Sequence, residues 1–190
     1  MLASAFWREH AGPFYTNLEL LRGIVRAGEL AERLGLDVEP DAILRRPRRA
    51  AIEVFPHPAL VVLLNLAERL PYKAKKDRPL AVCHAAMCEM LAGLESFKRA
   101  DPPLDVSTSP NWAQLVSACH AGLSGVPLKC LEDELDAYVC AYIGWYHLAW
   151  SGSQSLTVGD AQHGYVVTPV TPRHADLLRT KGRELHVPVR

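Results

Sequence analysis

The segment A-A-I-E-V-F, residues 50–55, constrains the fold more than any other part of the chain. It is a continuous apolar run, broken only by Glu53 and closed by Pro56. Runs of this kind suit a strand covered on both faces. Such a strand needs neighbours in a sheet, and the rest of the sequence offers few. Apolar residues at helical spacing mark 17–34, with Asn17 as N-cap and Gly35 as stop. Further helices are expected at 58–69, at 79–98 behind a proline, from Ser109-Pro110 to Gly122, and at 129–150, with a short one ending at Gly12. The second convincing strand is G-Y-V-V-T-P, 164–169. Two strands alone make a marginal sheet. The chain reads as α/β, helix-rich and short of strands.

Composition narrows the function classes. The 190 residues carry 21 Lys+Arg against 21 Asp+Glu, so the net charge is zero and a globally basic nucleic-acid binder is not indicated. Any such surface must be a local patch. A chain of this length forms one domain with a sizeable core. We expect that domain over residues 1–170, with 171–190 a basic, loosely held tail. The five cysteines are odd in number and show no C-x-x-C pair, which points to reduced thiols and a cytoplasmic protein. No basic, then apolar, leader opens the chain. The apolar run 137–150 holds His147 and is too short to cross a bilayer, which takes about 20 residues. No membrane partner is expected.

Three features carry possible chemistry. The first is E-D-E-L-D-A, 132–137, on the longest helix. Asp133 and Asp136 are three apart and share a face that continues through Ala137, Cys140, Ala141 and Gly144. Acids opening a small, apolar face are costly to bury unless paired or bound to a cation. Acids in a first helical turn also favour the helix dipole, and Glu132, Asp133 and Glu134 fit that alternative. The second feature is Glu53, the single charge in its strand, either facing solvent from an edge or needing a partner. With Asp133 and Asp136 it would make an oxygen-rich set suited to Mg²⁺ or Mn²⁺, of the kind that promotes phosphodiester cleavage. The third is a pair of basic patches flanking the Glu53 unit: Arg45, Arg46, Arg48 and Arg49, then Lys73, Lys75, Lys76 and Arg78. They suit either phosphate contact or a solvated surface. His57, between two prolines, either orients a carboxylate or fills a tight turn. Cys83, His84 and Cys88 lack a zinc spacing. No Walker A, G-x-G-x-x-G or G-x-S-x-G motif is present.

Four stretches in order, I-E-V-F-P-H-P-A-L (52–60), L-P-Y-K-A-K (70–75), L-E-D-E-L-D-A-Y-V-C-A (131–141) and G-D-A-Q-H-G-Y-V-V-T-P (159–169), resemble the domain of unknown function 429 family. Its members are described as predicted nucleases of RNase H-like fold. The resemblance covers most of 15–170. It implies a carboxylate cluster around divalent ions, Mg²⁺ or Mn²⁺, with Glu53 in the central-strand role. Asp133, Asp136 and Ala137 would match the last-helix D-x-x-D-A pattern of the junction resolvases. Lys73 and Lys75 fall in the Y-K-A-K motif, where phosphate contact is implied. Asp160 sits in the closing turn and reads as structural. Family members begin with a strand bearing an Asp, and no segment before residue 50 reads as one; Asp37 and Asp41 fall in a loop. The expectation is therefore an incomplete RNase H-like domain, comprising the C-terminal portion of that fold. Its open sheet edge would invite a second copy or a partner chain. The implied function is a metal-dependent nuclease acting on DNA or RNA, weak or inactive in this form. The alternative is a non-catalytic nucleic-acid-binding or assembly module.

Overall fold

The computed structural model describes residues 1–12, 26–45 and 49–190. Eight α-helices are present among them: α1 (Leu2–Ala5), α2 (Arg26–Leu34), α3 (Ala42–Arg45), α4 (Pro56–Leu63), α5 (Leu80–Ser96), α6 (Trp112–His120), α7 (Gly125–Ala149) and α8 (Pro172–Leu185). One antiparallel hairpin joins β1 (Ser155–Asp160) to β2 (Gly164–Pro169). The chain is thus helix-rich with a small two-stranded sheet. The first part of the helix expected at 17–34 lies outside the described residues, as do Arg46 and Arg48.

α4 organises the interior. Its sequence, P-H-P-A-L-V-V-L, is apolar on nearly every side because the helix is covered on two sides. Ala59 and Leu60 join a large core with α5, α6 and α7, built around Met87, Met90, Leu94, Leu115, Leu135 and Ile143. Val61 joins a smaller core with Phe6, Leu156, Val158, Ala175 and Leu178. Pro56 and Pro58 sit in the first turn of α4, where a missing N–H costs nothing. The stretch Leu80–Arg99 is long and apolar enough to cross a membrane by composition. Here Cys83, Ala86, Met87, Met90, Leu91 and Leu94 are buried, and most of them line the large core.

The sheet differs from the sequence reading in three ways. Residues 50–55 do not form a laddered strand. They are held by two isolated parallel bridges, Asp37 to Ala50 and Val54 to Val167, and the Val167 N–H donates to the Glu53 carbonyl at 2.8 Å. Second, Asp37 stands in one of those bridges rather than in a free loop. Third, the 171–190 segment is no loose tail. Thr171 caps α8 by accepting from the His174 N–H, and Ala175 and Leu178 are buried in the smaller core. Beyond α8, Thr157 and Arg190 exchange two backbone bonds of 2.8 and 3.0 Å, so the chain covers the outer edge of β1 itself. Extended residues therefore flank both hairpin strands.

The turn at 161–163 is fixed by Asp160, which accepts from the N–H groups of Gln162 at 2.9 Å and His163 at 2.8 Å. This agrees with a structural role. Gly159 has φ +103°, and a Cβ there would lie 2.2 Å from the Gly164 carbonyl oxygen. Gly159→Ala should destabilise the protein by more than about 1 kcal/mol in urea unfolding. An unchanged midpoint would contradict this turn geometry.

Candidate functional site

The L-P-Y-K-A-K and E-D-E-L-D-A motifs meet. The loop 70–75 crosses α7, and three consecutive residues bond two carboxylates one helical turn apart. Tyr72 is buried, and its hydroxyl donates to Asp136 Oδ1 at 2.6 Å. Lys73 Nζ pairs with Asp136 Oδ2. The Ala74 N–H donates to Glu132 Oε1 at 2.6 Å. Behind the loop, Arg78 Nη1 donates to the Lys73 carbonyl at 2.6 Å and to the Pro71 carbonyl at 3.2 Å. Pro71 cannot continue a helix, and Tyr72 buries an apolar ring while needing a partner for its polar tip. Asp136 is that partner. Its charge, after burial, helps push the Tyr72 phenol well above the ordinary tyrosine range.

The structure separates the two predicted aspartates. Asp136 faces the loop, whereas the Asp133 side chain is 61% exposed and pairs with Lys129. The docked face follows i, i+4 spacing, so it takes Glu132, Asp136 and Cys140. Asp133 is one residue on from Glu132 and turns to solvent. Glu132 is the buried acid that the sequence reading set aside as a helix-dipole residue. α7 starts at Gly125 and carries no acid in its first turn, so that alternative does not hold for these groups. The missed signal was the E-x-x-x-D spacing opposite the only run of Y-K-A.

Glu53, Lys73 and Lys75 are brought together. With Val54, Phe55, His57 and Arg69 they line a cavity of about 550 Å³. Glu53 is exposed. Its carboxylate and that of Asp136 both act on the Cys140 thiol, which burial first and then these two charges push up to about 11. The Glu53 and Asp136 charges are thus both felt at Cys140. Three cations surround the cavity, and their crowding is felt within it. Lys75 is held below the ordinary lysine range by desolvation and by the Arg69 and Arg78 charges. His57 is lowered to about 4 by burial, then by Arg69 and Lys73, against the opposing pull of Asp136. Its Nδ1 is buried without a hydrogen-bond partner among the described residues, and its ring centre lies 5.2 Å from that of Tyr72. His57 therefore fills the wall of the site as a neutral ring.

Mg²⁺ or Mn²⁺ fits this arrangement poorly. Asp136 accepts from Tyr72 and Lys73, Glu132 from Ala74, and Asp133 points elsewhere. Among the described residues no three His, Cys, Asp or Glu side chains stand close enough to hold a metal ion. The Lys73 ammonium occupies the cationic position beside Asp136.

Residues 21–163 match the family described as "Protein of unknown function (DUF429)". The chain belongs to this family. No curated protein and no solved structure gives a match. The match includes Glu53, the loop 70–75 and the acidic face of α7, so the whole loop–helix contact is family sequence.

Two outcomes check this geometry. Glu132→Ala removes the buried acceptor of the Ala74 N–H and should cost about 1–3 kcal/mol of stability, whereas the exposed Asp133→Ala should stay within about 0.5 kcal/mol. Equal losses in thermal or urea melts would contradict the assignment of faces. The second concerns His57, whose folded pKa lies below its unfolded value of 6.5. Its neutral form supports the fold fully above about pH 6.5, and that support is lost as pH falls towards about 4, by up to roughly 3 kcal/mol. His57→Phe should flatten stability against pH across that window. A profile that keeps its wild-type slope would show that His57 is not the buried neutral group.

Proposed function

We propose that this protein binds nucleic acid, seating a backbone phosphate in the cavity lined by Arg69, Lys73 and Lys75. The observation carrying this reading is the convergence of three cations on one cavity of a chain with no net charge. Like charges gathered on one lining repel one another, and the Arg69 charge adds to desolvation in lowering both Lys75 and His57. A phosphate oxygen relieves the repulsion and accepts charge-assisted hydrogen bonds. Glu53 on the same lining repels an anion and so helps set where it sits.

Hydrolysis of a phosphodiester bond is the second reading. It is what the nuclease resemblance implies, and the convergence of Glu53 and Asp136 on Cys140 favours it. Binding stands first because Asp136 is engaged by Lys73 and Tyr72.

One experiment separates the two. End-labelled DNA and RNA are incubated with wild type and Asp136→Asn in Mg²⁺, Mn²⁺ or EDTA, and binding is followed in parallel by anisotropy. On the binding reading, Asp136→Asn releases Lys73 towards phosphate and tightens association, with no cleavage in any buffer. On the hydrolysis reading, wild type cleaves with a divalent cation and the variant does not. Lys73→Ala with Lys75→Ala should weaken binding several-fold and reduce the salt dependence of log K by about one to two. Binding that is absent in wild type, or indifferent to both lysines, would contradict the proposal.

A further inference from the structure

The first turn of the chain carries an aromatic side chain that neither core uses. Phe6, Glu9 and Ala11 are buried, yet Trp7 between them is 62% exposed. The turn is closed by bonds from the Ala11 N–H to the Phe6 carbonyl at 3.1 Å and from the His10 N–H to the Trp7 carbonyl at 3.2 Å. Trp7 is therefore presented by an anchored segment. The Arg8 guanidinium carbon stands 5.6 Å from the indole centre, a cation over a π face.

Single exposed apolar residues are common and need no explanation by themselves. Trp7 belongs to a segment that touches the cationic cavity. Leu2 and Gly12, on either side of it in sequence, both line the cationic cavity. The Arg69 N–H donates to the Glu9 carbonyl at 2.9 Å, so the segment is tied to a residue of that cavity. Two residues of chain span at most about 7 Å, so the root of the indole stands within that distance of Glu9. An aromatic platform beside phosphate-seating cations is the combination that holds single strands: cations track the backbone while bases stack.

We infer that Trp7, with Arg8, forms a stacking platform for an unpaired nucleobase of the strand whose phosphate occupies the Arg69–Lys73–Lys75 cavity. This rests on the phosphate-binding reading above and deepens it, since it names single-stranded nucleic acid as the ligand class. In a duplex the base faces are already stacked, so the platform gains nothing there. Specificity for sequence is not expected, because every base offers a π face.

The test compares wild type, Trp7→Ala, Trp7→Phe and Lys73→Ala/Lys75→Ala against a labelled single-stranded oligonucleotide and a hairpin duplex of equal length. Circular dichroism melts confirm that each variant is folded; the exposed Trp7 makes unfolding an unexpected result. Trp7→Ala should weaken single-strand binding about tenfold to a hundredfold and leave duplex binding unchanged, while Trp7→Phe keeps most of the affinity. The lysine variant should weaken both. If only the lysine variant loses affinity, the platform is overturned and the phosphate site stands. If wild type binds neither ligand, both are overturned.

Discussion

Two carboxylates one helical turn apart, Glu132 and Asp136, hold the loop on which the site depends. A buried phenol, an ammonium group and a backbone N–H answer them in successive residues, Tyr72, Lys73 and Ala74. Each contact removes a polar group from water and supplies a partner at once, the condition under which burying charge is tolerable. The contact is also directional. It fixes Lys73, which lines the cavity together with Lys75. Without it, the segment between α4 and α5 would be a basic surface loop with no defined cavity beneath it.

The remaining frame serves this contact from two sides. α4 separates the large helical core from the smaller one formed by α1, the hairpin and α8, and it carries His57 at its start. The residues before α4 are tied to β2 through the Glu53 carbonyl, which places the Glu53 carboxylate at the cavity without burying it. Short bridges are enough here because the hairpin is stiffened elsewhere, by Asp160 in its turn and by the pairing of Thr157 with Arg190. Local charge departs here from overall charge: a neutral chain collects Arg69, Lys73 and Lys75 in one concavity.

Much of this was legible in the sequence. Prolines and apolar periodicity marked α5 to α7 and the start of α4 to within a few residues, although α4 ends at Leu63, well short of the expected residue 69, and the four motif stretches were enough to identify the family. What could not be read was pairing. Residues 50–55 have the composition of a doubly covered strand, but packing against α4 and β2 satisfies them with isolated bridges instead of a ladder. Asp133 and Glu132 are adjacent in sequence, and only the docking of the loop decides which one is buried. Helical spacing allows both i+3 and i+4 partners for a given face. α8 looked like a tail because its exposed residues are strongly polar, while a few buried groups, among them Ala175 and Leu178, hold it to the smaller core.

The Tyr72 loop and the α7 carboxylates act as one unit. A double-mutant cycle on Tyr72→Phe and Asp136→Asn, read by urea unfolding, measures that coupling most directly. The geometry predicts that each single variant is destabilised and that the double variant loses less than their sum, with a coupling of about 1–3 kcal/mol for a partly buried hydrogen bond to a charged group. Additive losses would mean that the two residues do not hold each other. The loop–helix contact would then not be what shapes the site.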